Sequence, residues 1–205
     1  MSDHARPSLE PLPPAAPQPS SPGIELARLA AGGDVRATKS LLQAVAPTVV
    51  RVVRMVLGPA HPDVDDAVQH SLIGFIQSLP SFRGECEPGR FAARIAVRTA
   101  TAARRRSRLA QSRRDDIDAA DSVSVPPADT SRKAEVVRAL LCEIPEEQAE
   151  ALAMRVVLGW SIEEIASSAG VPINTVRSRL RLAKQAMRKR IESDPRLVEE
   201  LEVDG

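Results

Sequence analysis

Apolar residues recur every three or four positions along most of this chain, and that helical period lapses in a few well-marked places. Ile24 to Ala30 makes two turns that stop at Gly32-Gly33. Asp34 then caps a helix reaching about Leu57, whose stripe is Leu41, Leu42, Val45, Val49, Val52, Val53 and Val56. Pro47 lies inside it and predicts a kink or a break into two pieces. After Gly58-Pro59 and His61-Pro62 a further helix runs to Leu79, with Val64, Ala67, Val68, Leu72, Phe75, Ile76 and Leu79 facing inward. Pro80 to Gly89 is a loop of turn residues. Residues 90–109 form another helix, with Phe91, Ile95, Ala96 and Thr99 on one side and an arginine run at its end. The period then disappears over 111–131 and returns near Arg132 with Val136, Val137, Leu140 and Leu141. Pro145-Glu146-Glu147 opens the next helix, through Leu152, Ala153, Val156 and Val157 to Gly159.

The last periodic stretch, Gly159 to Arg190, carries the sharpest signal. Ser161 with Glu164 three residues later is a capping box, and Ile162, Ile165 and Ala166 supply an apolar face. Gly170 provides the positive φ of a tight turn, and Pro172 stands where a second helix begins. That helix has a buried stripe of Val176, Leu180, Ala183 and Met187, while Arg177, Ser178, Arg181, Lys184, Arg188 and Lys189 cover its other faces. A short helix, a glycine turn and a second helix with an apolar back and a basic front predict a helix-turn-helix whose second helix enters a major groove.

The fold class is therefore all-α, two small helical domains joined by a flexible linker. Residues 1–22, with seven prolines, read as a disordered leader. The domains fall at 23–110 and 132–192, the linker at 111–131, and an acidic tail at 193–205.

Composition sharpens this picture. Aromatic residues make up 2% of the chain, so the cores must be aliphatic. The formal net charge of +1 hides segregation, because Arg104 to Arg114 holds six arginines and Asp115 to Asp121 four aspartates. Cys86 and Cys142 stand apart and suggest neither a disulfide framework nor a metal site, and His61 and His70 lack ligand spacing. No phosphate loop, nucleophile elbow or catalytic carboxylate pair occurs, so no catalytic residue, metal or cofactor is expected. No signal-peptide core is present and no stretch approaches a membrane span, which points to a cytoplasmic protein without membrane insertion.

These motifs together resemble the bacterial RNA polymerase sigma factors, in particular the small extracytoplasmic-function type that keeps only regions 2 and 4. The segment IPEEQAEALAMRVVLGWSIEEIASSAGVPINTVRSRLRLAKQAM follows the region 4 pattern, and Asp63-Val64-Asp65-Asp66-Ala67-Val68-Gln69 with Leu79 to Glu85 follows region 2. The likeness covers about residues 24–109 and 132–191. It implies an alternative sigma factor rather than an enzyme, one that binds core RNA polymerase and directs initiation at promoter DNA. Asp63, Asp66 and Gln69 would meet the clamp helices of β′, with region 4 on the β flap. Thr175, Arg177, Ser178, Arg181, Lys184 and Arg188 would serve the −35 element, where arginine can grip guanine O6 and N7 together. Phe82, Arg83, Phe91, Arg94, Arg98, Arg104 and Arg105 would serve the −10 region. An anti-sigma factor is implied as a further partner.

The chain departs from the family at several positions. Phe91-Ala92-Ala93 stands where the family commonly has Trp, Leu and an aromatic residue, Arg98 where it commonly has Asn, and Leu182 where it often has Arg. The first departure keeps an alternative open, a sigma-like regulator that binds DNA or a partner without supporting promoter melting. A two-domain response regulator would need a receiver or ligand domain, and the first half has no βα alternation.

Overall fold

The computed structural model describes residues 21–115 and 132–194, and these are helical throughout apart from short connections. Four helices come from the first half: α1 (Pro22–Ala31), α2 (Val35–Leu57), α3 (Val64–Ser78) and α4 (Pro88–Asp115), with a single 3₁₀ turn at Leu79–Ser81. The second half adds α5 (Arg132–Leu141), α6 (Glu146–Val157), α7 (Ile162–Ala169) and α8 (Ile173–Glu192). The expected leader up to residue 20, the linker from 116 to 131 and the tail from 195 lie outside the described residues.

Local chemistry sets the helix starts. Ser21 accepts from the Ile24 N–H at 3.3 Å, with Pro22 in the first turn, so α1 begins two residues before the first apolar position. Asp34 accepts from the Ala37 N–H at 2.9 Å, as the pattern at Asp34 implied.

Pro47 does not break α2, which runs uninterrupted from Val35 to Leu57. The carbonyl that Pro47 leaves without an N–H partner belongs to Gln43, and both residues are exposed, so the gap in the ladder lies on the solvent side of the helix. By length and a mean hydropathy of 1.5, α2 is also apolar enough to cross a bilayer, which corrects the reading that no stretch approaches a span. It is the central helix of the first bundle. Leu41, Val45, Val49, Val52, Val53 and Val56 are buried against α1, α3 and α4, while Arg36, Lys39, Arg51 and Arg54 are exposed.

On α3, Ile76 is 37% exposed rather than inward, and Ser71 takes a fully buried position by donating to the Ala67 carbonyl at 2.6 Å. The buried stripe of α4 is Ala92, Ala93, Ala96, Val97, Ala100 and Ala103; Phe91, Ile95 and Thr99 sit at its margin. Small side chains there let α4 lie close along α2. The helix continues to Asp115, so residues 111–115 are helical rather than linker. Ala, Arg, Gln and Leu are strong helix formers, and their propensity carries the helix past the end of its apolar stripe.

Candidate nucleic-acid interface

The helix-turn-helix stands on three interlocking local devices. Ser161 Oγ accepts from the Glu164 N–H at 3.1 Å and Glu164 Oε2 accepts from the Ser161 N–H at 2.8 Å, completing the capping box of α7. Gly170 ends α7 at φ 66°, a left-handed conformation that a side chain would strain. Pro172 occupies the N-cap of α8 rather than its first turn, one position earlier than expected, and Ile173 starts the helix. Val176, Leu180 and Ala183 are buried on the α6 and α7 side, with Met187 half-buried below them.

Arg177, Ser178, Arg181, Lys184 and Arg188 are all exposed on α8. The four basic ones are spaced four, three and four apart, which places them in one strip down a flank of the helix. Thr175 is half-buried and about 160° around the axis from Arg177, so it belongs to the first turn but not to the strip. Arg177 Nη1 donates to Asn174 Oδ1 at 3.3 Å, and Arg188 Nε to Glu192 at 2.8 Å. Two other arginines of α8 turn inward to the scaffold. Arg179 pairs with Glu147 at 2.5 Å, and Arg190 with Glu143 at 3.0 Å and Asp194 at 3.2 Å.

In the first bundle the aromatic candidates pack on one another. The Phe91 ring lies 6.0 Å from fully buried Phe75 and 5.1 Å from Phe82, so each half-buried ring spends one face on the core. Arg83 is exposed and Arg94 half-buried, while Arg98 is exposed with its Nε 3.7 Å from Glu150. Asp66 and Gln69 are exposed on α3, and Asp66 Oδ2 lies 3.3 Å from His70 Nδ1. Asp63 caps nothing with its side chain; it accepts from Ser107 Oγ of α4 at 2.6 Å.

The arginine run of α4 departs most from its expected place. Arg104, expected to follow DNA phosphates, is 8% exposed. Its Nη1 donates to the Leu57 carbonyl at 2.6 Å and its Nε to the Arg138 carbonyl at 3.1 Å, joining the C-terminal end of α2 to α5. Arg105 donates to the Ile144 carbonyl at 2.5 Å, and Arg108 to the Ala139 carbonyl at 2.7 Å and to Glu143 at 2.5 Å. Arg138 reaches back to the Met55 carbonyl at 3.0 Å. The run is a seam between the two bundles, and it binds helix-end carbonyls, the natural site for cations.

A second seam joins the start of α4 to the helix-turn-helix. Arg90 pairs with Glu164 and stands over the buried Trp160 ring, 5.5 Å from its centroid. The Ser161 backbone N–H, and then Arg90, hold the Glu164 carboxyl below the usual range. Nearby, burial raises Glu150 and outweighs the lowering effect of Arg98. Burial likewise pushes both half-buried thiols, Cys86 and Cys142, up. Sequence reasoning missed Arg90, Arg138, Glu150 and Trp160. Their partners come from other helices, and no local spacing announces them.

Comparison with known proteins agrees with this architecture. Residues 41–109 match the Sigma-70 region 2 family and residues 134–187 the Sigma-70 region 4 family. The ECF RNA polymerase sigma-E factor of Salmonella typhimurium is 30% identical over 146 residues, 63% of this chain and 74% of that one. Its counterpart in Haemophilus influenzae is 32% identical over 146 residues, 63% of this chain and 75% of that one. Among solved structures, CnrH in complex with the cytosolic domain of CnrY shares the fold, with a TM-score of 0.50 at 21% identity over 83% of this chain and 97% of that chain. With both sigma regions matched in order and relatives at this identity covering three quarters of their length, the chain belongs to the RNA polymerase sigma factors of the extracytoplasmic-function class.

Proposed function

We propose that this sigma factor reads the −35 element with the flank of α8 formed by Arg177, Arg181, Lys184 and Arg188, with Ser178 beside that flank at the groove floor and Thr175, across the first turn, at the opposite edge of the contact. The observation that carries this is the exposed basic strip on a helix whose adjoining apolar face is locked to α6 and α7. Arg177, nearest the N-terminus, reads bases, while Lys184 and Arg188 touch phosphates and set register and salt dependence. Core polymerase is met through α3, where Asp66 and Gln69 are exposed and Asp63 joins them when Ser107 releases it. The chain works by binding and positioning, in the cytoplasm with the polymerase, and makes no covalent bond. An anti-sigma factor belongs to this reading through family likeness.

The −10 surface has two parts. Arg83 and Arg98 are exposed, and the outer faces of Phe82 and Phe91 border the loop at Ser81–Pro88. A base leaving the duplex stacks against such a face, while Arg94 holds the adjoining backbone. Arg104 and Arg105 reach DNA only after the seam opens, because carbonyls of the other bundle occupy them.

Distance requires that opening. The −10 and −35 elements are centred roughly 25 base pairs apart, about 85 Å of duplex at 3.4 Å per step. A compact unit of the ~160 described residues has a radius of gyration of only about 15 Å. Residues 116–131 can span about 55 Å when extended, enough to let the two bundles part. Transcription from a cognate promoter with purified core polymerase is the test. Initiation that requires both elements bears the proposal out; promoter binding without any transcript would return the chain to the class of sigma-like regulators.

A further inference from the structure

Between the bundles lies an apolar groove of ≈ 920 Å³ whose apolar floor has no part in the proposed promoter and polymerase contacts, although Lys184 and Arg188 on its rim also belong to the proposed phosphate-contacting strip. Its floor comes from Met55 and Val56 of α2, Leu141 of α5, Leu152 and Val156 of α6, and Ile191 of α8. Val156 is 67% exposed there, a large apolar side chain left to water beside a row of buried ones. The rim is basic, with Arg138, Lys184 and Arg188 along it and Glu192 as the one acid.

We infer that this groove receives the chain's own C-terminal segment, residues 195–205, so that the tail clasps the two bundles together. Three observations select that occupant. The described chain ends at Asp194, three residues beyond Ile191 in the groove wall. The segment Pro195-Arg-Leu-Val-Glu-Glu-Leu-Glu-Val-Asp-Gly205 places Leu197, Val198 and Leu201 at helical spacing, followed by Val203, among three glutamates and an aspartate. Its acids complement the basic rim, and its apolar positions match the floor. Reach is ample. Seven residues from Asp194 to Leu201 extend up to about 25 Å, whereas Ile191 to Lys184 covers about 10 Å of helix.

The proline-rich leader is a poorer match. It joins the fold at Ser21, beside the start of α4, where the position of Gly23 abuts Glu87 and Pro88. That point lies about 24 Å along α4 from Arg104 at the seam, and residues 1–20 carry only Asp3 and Glu10 as acids.

The clasp is tested on the full chain with Cys86→Ser and Cys142→Ser, carrying Leu201→Cys paired with either Val156→Cys in the groove or Gln185→Cys on the exposed face of α8. Both partners lie within reach of an untethered tail, so only docking separates them. The expected result is an intramolecular disulfide that forms about tenfold faster in the 156–201 pair than in the 185–201 pair. Adding Glu199→Gln, Glu200→Gln and Glu202→Gln, or raising the salt, is expected to erase most of that advantage. Equal rates for the two pairs overturn the inference, as does a product that is mainly intermolecular, which would assign the groove to a second copy. A second readout uses truncation after Asp194 and the apolar dye ANS. Its fluorescence rises if the tail covers Val156, and an unchanged signal overturns the inference. Neither readout involves polymerase or DNA, so their failure leaves the promoter reading untouched.

Discussion

In the proposed −35 reading, Arg177 and Lys189 take two different kinds of contact from one helix. Both are exposed, but Arg177 stands one turn into α8 and Lys189 near its end. Arg177→Ala is expected to cost about 1–3 kcal/mol at one base pair of the −35 element and to relax preference there. Lys189→Ala is expected to weaken every duplex evenly and to lower the salt slope by about one. Titration of a panel of single-base duplexes at several salt concentrations checks both. The two seam carboxylates titrate in opposite senses. The lowered Glu164 contributes stability that is complete above an unfolded carboxyl value of ~4.3 and is lost as pH falls through its lower folded value. The raised Glu150 favours its protonated form in the fold, so its contribution is lost as pH rises through the raised value, and at neutral pH its charge is a cost. Thermal melts are therefore expected to show Glu150→Gln more stable than wild type near pH 7, by about 2–4 °C per kcal/mol relieved. Glu164→Gln is expected to flatten the acid limb.

At the level of elements, the legible parts are those whose causes sit within a turn of one another. The capping box joins Ser161 to Glu164, three residues apart, and the α8 stripe repeats every three or four. Ser161→Ala is expected to cost about 0.5–2 kcal/mol by freeing an N–H of α7, measured as a lower melting point with an unchanged unfolding slope. Pro47 shows the limit of local rules. A proline inside a helix reads as a break, yet its orphaned acceptor faces water while Val45 and Val49 on the other side stay packed. The Arg104 seam was illegible for the opposite reason. Its carbonyl partners are 34 and 47 residues away, and a run of arginines looks the same in sequence whether it faces phosphate or the ends of helices.

For the whole molecule, the described arrangement is a closed one, and charge holds much of it shut. Arg104 binds two carbonyls at a buried site, so Arg104→Ala leaves acceptors unpaired, at about 1–3 kcal/mol for each one that water does not reach. Small-angle scattering is expected to show a compact wild type and an expanded Arg104→Ala variant. The variant's affinity for core polymerase is expected to be unchanged or higher, since Asp66 and Gln69, the exposed residues of α3 proposed to meet the clamp, lie elsewhere. An equally compact variant would remove Arg104 from the role of latch. The aliphatic cores and the division into two bundles follow from composition and period alone, whereas the docking of one bundle on the other depends on surfaces that meet only in three dimensions.

Trp160 is the chain's one tryptophan, there is no tyrosine, and the indole sits beneath Arg90 where the bundles touch. The protein thus places its one tryptophan at the seam proposed to open. Its emission would shift to the red as the guanidinium withdraws and water arrives, giving a label-free optical clock for the proposed parting of the two halves on polymerase.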